Sequence, residues 1–322
     1  MDPLFLGNIA ALIGLLSASF LDFGSLLGDD DESADDTPPD NAQPTIVPLD
    51  FPGTEGADSF TSVSDADARY DLLGGDDSVA AGFGDDTINA GAGDDSVQAR
   101  VGDDLVTLGD GNDTAAGGFG DDTLAGDAGN DSILGDSGRD SISGGYGDDT
   151  LEGGDDDDTL NGDAGDDLLY GGAGADLLRG GAGDDTLNGL YDDTTLSRTV
   201  DPDLADTLEG GDGDDRLILG AADTATGGTG NDQFVLDDAI GQPDADADAD
   251  TAGPAVITDF DADDDMLVLE YDGDTMPELT IEMTAATDTT QAAAVILANG
   301  QAVAQLPGIE DLTLAQIELV RV

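Results

Sequence analysis

Between Leu72 and Asn188 an aliphatic side chain returns at every ninth residue, in most units flanked on both sides by polar or very small residues. The series runs Val79, Ile88, Val97, Val106, Ala115, Leu124, Ile133, Ile142, Leu151, Leu160, Leu169, Leu178 and Leu187, with Ala115 the one weak member. In a strand neighbouring side chains face opposite ways, so one apolar position with polar neighbours predicts a short strand with a single inward residue. The fixed period of nine predicts stacked strand-and-turn units, each burying its apolar residue against the next.

Residues 72–188 divide into thirteen such units without a gap. The sixth position is Asp in every one: Asp77, Asp86, Asp95, Asp104, Asp113, Asp122, Asp131, Asp140, Asp149, Asp158, Asp167, Asp176 and Asp185. The fourth position is Gly except at Asp156, and the first position is consistently Gly from Gly117 through Gly126, Gly135, Gly144, Gly153, Gly162, Gly171 and Gly180. Glycine enters turns that visit positive φ, so the first six positions read as a tight turn and the last three as the strand. On that reading Leu72, Leu73, Ala99, Arg100 and Leu108 stand where turn glycines are expected, which puts the early units in question.

Outside the array the pattern changes. Residues 1–28 form an apolar segment from Leu4 to Leu27 interrupted by Asn8 and Asp22 with no Lys or Arg ahead of it. It reads either as an amphipathic docking helix or as an export signal or anchor, and fits a cleavable signal peptide poorly. Residues 29–50 read as an acidic, Pro-containing linker, and 51–71 as an atypical N-terminal cap around Gly53–Phe60. An insertion at about 190–205 breaks the phase, which returns at Gly210–Leu217 and Gly227–Phe234 and adds Asp215 and Asp232 to the sixth-position series, so that the roll spans 72–236. Residues 237–254 form a second acidic loop, and 255–322 alternate apolar and polar positions as a small β-rich closing region.

Composition sharpens the chemistry. The chain has 322 residues, 75 acidic against 7 basic, all Arg, for a formal net charge of -68. Nucleic acid is excluded as a partner, since phosphate binding requires basic side chains, and an anionic membrane surface would repel the chain. Only 4% of residues are aromatic while 48 are Gly, so bulky side chains cannot supply an ordinary core. Taken alone, such acidity reads as disorder or as a solvated surface, but disorder does not require an aliphatic residue in every unit.

Stacking the units brings the sixth-position carboxylates into a row, where charges about 4 Å apart repel by about 4 kcal/mol at an effective dielectric of about 20. A hard divalent cation between turns relieves this, because Ca²⁺ takes oxygen ligands from carboxylates and carbonyls in flexible geometry. Mg²⁺ prefers a tighter octahedron and keeps its waters, and Zn²⁺ finds no His or Cys here. Absence of His, Cys and Lys also removes the commonest general bases and nucleophiles. No H-E-x-x-H helix or Gly-x-Ser-x-Gly elbow occurs.

The units resemble the G-G-x-G-x-D-x-U-x nonapeptide of RTX, or haemolysin-type, calcium-binding proteins, with Gly144–Glu152 matching throughout. The stretch Gly227–Leu236 with Val256–Leu267 is similar to the segment that ends many such arrays. The resemblance implies an all-β fold, a right-handed parallel β-roll with two nonapeptides per turn. It implies multiple Ca²⁺ ions held by the sixth-position Asp residues and the turn glycines. It also implies folding on calcium binding, an extracellular location, and an ABC-type exporter reading an uncleaved signal within Leu312–Val322, the extracellular or cell-surface partner being unspecified. Enzymes of this kind carry a separate catalytic domain, for which the residues ahead of the array are too few. A non-enzymatic structural, adhesive or surface role is therefore expected, with a calcium-dependent secreted enzyme or accessory module, for example one acting on polysaccharide, as the alternative.

Overall fold

The computed structural model describes residues 49–190, 205–236, 253–271, 276–284, 292–309 and 312–321. The apolar segment 1–28, nearly all of the linker and of the second acidic loop, and the insertion from 191 to 204 lie outside the described residues. Leu49 and Asp50, expected at the end of the linker, already belong to the first strand, Leu49–Thr54.

Successive strands alternate between two sheets, one of 14 strands and one of 12. Through the repeat array, neighbours within each sheet are parallel and offset by two nonapeptides: Ile142 pairs with Leu160, which pairs with Leu178. The offset arises because one unit supplies a strand to one sheet and the next unit crosses to the other, so a full turn consumes 18 residues. The result is a parallel β-solenoid. Among the described residues it contains no α-helix.

Strands are six residues long rather than three, as in Ser132–Ser137 and Ser141–Tyr146. They comprise positions seven, eight and nine of one unit and one, two and three of the next. Two positions per strand therefore face inward, the eighth and the first, and burial along Ser132–Ser137 alternates accordingly. Leu72, Ala81, Ala90, Ala99 and Leu108 are thus fully buried core residues, not intruders in a turn. From Gly117 to Gly180 the first position is Gly, and there the core narrows to one inward Leu or Ile per strand.

The second and fourth positions carry the backbone constraint. Gly145, Gly154 and Gly172 at the second position, and Gly129 and Gly147 at the fourth, all have φ above 100°. Each also lies beneath the carbonyl of its counterpart one turn earlier: a Cβ on Gly129 would fall 1.4 Å from the Gly111 oxygen. Where a side chain does occupy such a position, φ moves to a narrower left-handed value, 72° at Asp127, 77° at Asp136 and 74° at Asp163. Asp is among the residues that tolerate that conformation.

Both ends of the solenoid are closed by apolar contacts. At the start, Leu49–Thr54 and Ser59–Thr61 pair in parallel with Ala68–Leu73 and Ser78–Phe83. Phe51 stacks on Tyr70 at a centroid separation of 4.8 Å, and Phe60 sits 5.8 Å from Phe51. At the other end Ala255–Ile257 and Met266–Tyr271 continue the two sheets in parallel, so the closing region extends the roll. An antiparallel hairpin, Ala293–Ala298 with Gln301–Pro307, then turns through Asn299 and Gly300, both at positive φ. That is the backbone a two-residue hairpin loop demands. The last strand, Ile317–Arg321, pairs with Met266–Tyr271 in the 12-stranded sheet.

Candidate metal centre

Each sixth-position Asp leaves the strand pair at the start of a new strand, and its side chain turns inward. All thirteen, with Asp215 and Asp232, are at most 3% exposed. They form two rows, one per edge of the roll. Asp77, Asp95, Asp113, Asp131, Asp149, Asp167, Asp185, Asp215 and Asp232 make one row, and Asp86, Asp104, Asp122, Asp140, Asp158 and Asp176 the other.

Within a row the contacts repeat. The Asp131 N–H donates to Asp149 Oδ1 at 2.7 Å, and the Asp149 N–H donates to Asp167 Oδ1 at 2.8 Å. The same bond runs from Asp122 to Asp140 at 2.7 Å and from Asp140 to Asp158 at 2.8 Å. One carboxylate oxygen is thereby committed to the turn before it. The other is left over: Oδ2 of Asp122, Asp131, Asp140, Asp149, Asp158, Asp167, Asp176, Asp185 and Asp215 is buried with no hydrogen-bond partner, as is that of Asp77, Asp95, Asp104 and Asp113. A buried carboxylate oxygen without a donor is costly, and a row of them calls for a cation.

The predicted glycines stand against these oxygens. A Cβ on Gly117, Gly135, Gly144, Gly162 or Gly180 would lie 2.3 Å from Oδ2 of the Asp in its own unit, with Gly126, Gly153 and Gly171 between 2.2 and 2.5 Å. At Gly135, Gly153 and Gly162 the carbonyl of the first-position Gly one turn on stands within 2.5 to 2.7 Å of the same point. Glycine at the first position thus makes room for a carboxylate and a carbonyl to converge. Among the described residues no three acidic side chains gather at one point, so an ion here would draw on main-chain carbonyls as well as carboxylates from successive turns. An all-oxygen donor set, with anionic and neutral members spread over flexible turns, fits Ca²⁺.

Three ladder members escaped the sequence reading. Asp206 receives the Asp176 N–H at 2.8 Å, and Asp223 receives the Asp206 N–H at 2.9 Å. Asp265 receives the Asp232 N–H at 3.0 Å, and the nearby Asp259 ends the stack by accepting the N–H groups of Gly227 and Gly228, both at 2.9 Å. A signal was present in Asp206–Gly210 and Asp223–Gly227, each an Asp, an apolar residue two further on and a Gly two beyond that.

A separate ladder runs on the outside through the fifth position, where the Asp103 N–H donates to Asp85 Oδ1 and the Asp121 N–H to Asp103 Oδ1, each at 3.0 Å. These carboxylates keep their second oxygen in water, and they need no metal.

Burial pushes the inner carboxyls upward, with neighbouring carboxylates adding to the effect. Asp95, Asp104, Asp113, Asp140, Asp167, Asp176 and Asp215 rise to about 6, Asp122, Asp149 and Asp185 to about 7, and Asp158 to about 8. A raised acid binds its proton more tightly in the folded chain, so stability contributed this way is complete below the unfolded carboxyl value and is lost as pH rises through about 6 to 8. Calcium-free protein is therefore expected to gain β structure on acidification from about pH 8 to about pH 5, read by circular dichroism, whereas the calcium-loaded protein changes little. A calcium-free spectrum independent of pH in that window contradicts a row of buried carboxyls.

Residues 73–106, 107–142, 134–169, 143–178, 161–190 and 203–234 match the RTX calcium-binding nonapeptide repeat. No curated protein matches the chain. Two solved structures are similar to it. The solution structure of the AlgE6R3 subunit of the Azotobacter vinelandii mannuronan C5-epimerase is 24% identical, covering 54% of this chain and 79% of that one, with a TM-score of 0.21. The crystal structure of a hyperactive, Ca²⁺-dependent, β-helical antifreeze protein from an Antarctic bacterium is 19% identical, covering 68% of this chain and 85% of that one, with a TM-score of 0.25.

Proposed function

The chain belongs, through residues 73–190 and 203–234, to the RTX calcium-binding nonapeptide repeat family, and on that premise we propose that it is an extracellular structural or adhesive protein whose β-roll folds when calcium arrives. The observation that carries the reading is the double row of buried Asp Oδ2 atoms without a donor. Without a cation the rows oppose folding. With one, each becomes a set of cross-links between turns, in a chain that has no disulfide to use instead.

Weak sites, in the range of about 10⁻⁴ to 10⁻³ M typical of extracellular modules, would stay empty at cytosolic calcium and fill outside. Export fits this order. Ile317–Arg321 is hydrogen-bonded into the 12-stranded sheet once the chain is folded, so an ABC-type exporter reading Leu312–Val322 would meet that segment free only where calcium is scarce. No catalytic role is proposed: the inner carboxylates are committed to the ladder, and the chain has no His, Cys or Lys to act as base or nucleophile.

Fractionation of intact producing cells tests the location. The protein is expected in the medium or exposed to added protease at the cell surface. Recovery solely from the cytosol, protected from protease, overturns the extracellular role.

A further inference from the structure

The first position of each unit divides the roll. Leu72, Ala81, Ala90, Ala99 and Leu108 place carbon in the interior and are 0% exposed. From Gly117 to Gly180 the same position is bare, and the Asp Oδ2 of the unit stands 2.2 to 2.5 Å from where a Cβ would be. In the early units, therefore, an apolar group occupies the space that the later units open to oxygen.

Oδ2 distinguishes the two classes in only some units. In every Gly-first unit from Gly117 to Gly180 that oxygen is buried and has no donor. Where the first position is apolar, the main chain can supply one. In the unit beginning at Leu219 the Gly220 N–H donates to Asp223 Oδ2 at 2.6 Å. Asp86, in the unit beginning at Ala81, has the Gly82 main-chain N–H close enough to ease its carboxyl, against the burial that raises it. Asp77, Asp95, Asp104 and Asp113 keep an unpartnered oxygen, and set against that cost is a core with two inward side chains per unit. The open end of this block is filled by Phe51, Phe60 and Tyr70.

We propose that the first position decides which units require calcium: the Gly-first units of 117–188 and 210–218 fold only with the ion, while residues 49–116 hold their fold without it. The N-terminal block is then a preformed platform whose last strands template the calcium-requiring turns, so that folding proceeds from one end. This rests on the calcium-coupled folding proposed above and adds where the coupling begins.

Hydrogen–deuterium exchange of the full chain, with EDTA and with calcium, separates the two ideas. In EDTA, amides within 68–110 are expected to exchange at least tenfold more slowly than those within 122–187, and both regions are expected to be protected in calcium. If 68–110 exchanges in EDTA as fast as 122–187, the platform is overturned while calcium-coupled folding stands. If both regions are protected in EDTA, calcium coupling itself is overturned. Replacing the small inward carbons together, Ala81→Gly with Ala90→Gly and Ala99→Gly, is expected to abolish the protection of 68–110 in EDTA and to leave it recoverable by calcium. Unchanged protection in that variant also contradicts the assignment.

Discussion

Gly129→Ala destabilises the calcium-loaded roll by more than about 3 kcal/mol, an effect in the range reserved for backbone strain and buried overlap. Two penalties coincide at this residue. Its φ is 136°, a value outside the left-handed basin that L residues tolerate. Its added Cβ would fall 1.4 Å from the Gly111 carbonyl oxygen, so the turn could accommodate it only by moving away from its neighbour and breaking the stack. Gly300→Ala is the control. Its φ of 85° is also positive, but nothing lies within 4 Å of the new Cβ, so it carries only the left-handed cost of about 1–2 kcal/mol. Equal losses for the two variants in chemical denaturation would mean that the stacking of turns does not govern the fourth position.

Asp149→Asn reverses sign with calcium. The carboxamide oxygen can still accept the Asp131 N–H that now bonds Oδ1 at 2.7 Å, and the volume is unchanged. What disappears is the anionic Oδ2, which is buried and unpartnered within the protein. In calcium the variant loses a charged donor, and the calcium midpoint is expected to rise about tenfold, equivalent to about 1.4 kcal/mol. In EDTA the variant no longer carries a carboxyl that burial has pushed up to about 7. It is therefore expected to be as stable as the parent or more so at pH above that value. A loss of the same size in both conditions would make Asp149 a structural acceptor only.

Much of this was legible because the repeat is strict. The eighth-position column from Val79 to Leu187 and the sixth-position series from Asp77 to Asp185 are read directly from the period, and both prove to be buried. Other features resist a linear reading for physical reasons. A nine-residue register does not say where a strand ends, so Leu72 and Leu108 were expected in turns although they line the core. Asp206 lies past the insertion, yet Leu178 pairs with Leu208 as closely as Leu160 pairs with Leu178. Parallel pairing needs the next strand in space, whatever length of chain connects it. Asp223 and Asp265 were hidden likewise, since Leu208 pairs with Ala225 and Phe234 with Leu267, offsets that no fixed period contains.

The most direct test strips the protein with EDTA and titrates it with calcium while far-ultraviolet circular dichroism is recorded, with magnesium as the control. The account predicts a cooperative gain of β structure at about 10⁻⁴ to 10⁻³ M calcium, absent at equal magnesium. A spectrum that is the same in EDTA, calcium and magnesium would contradict it, because the buried carboxylate rows would then be tolerated without any ion.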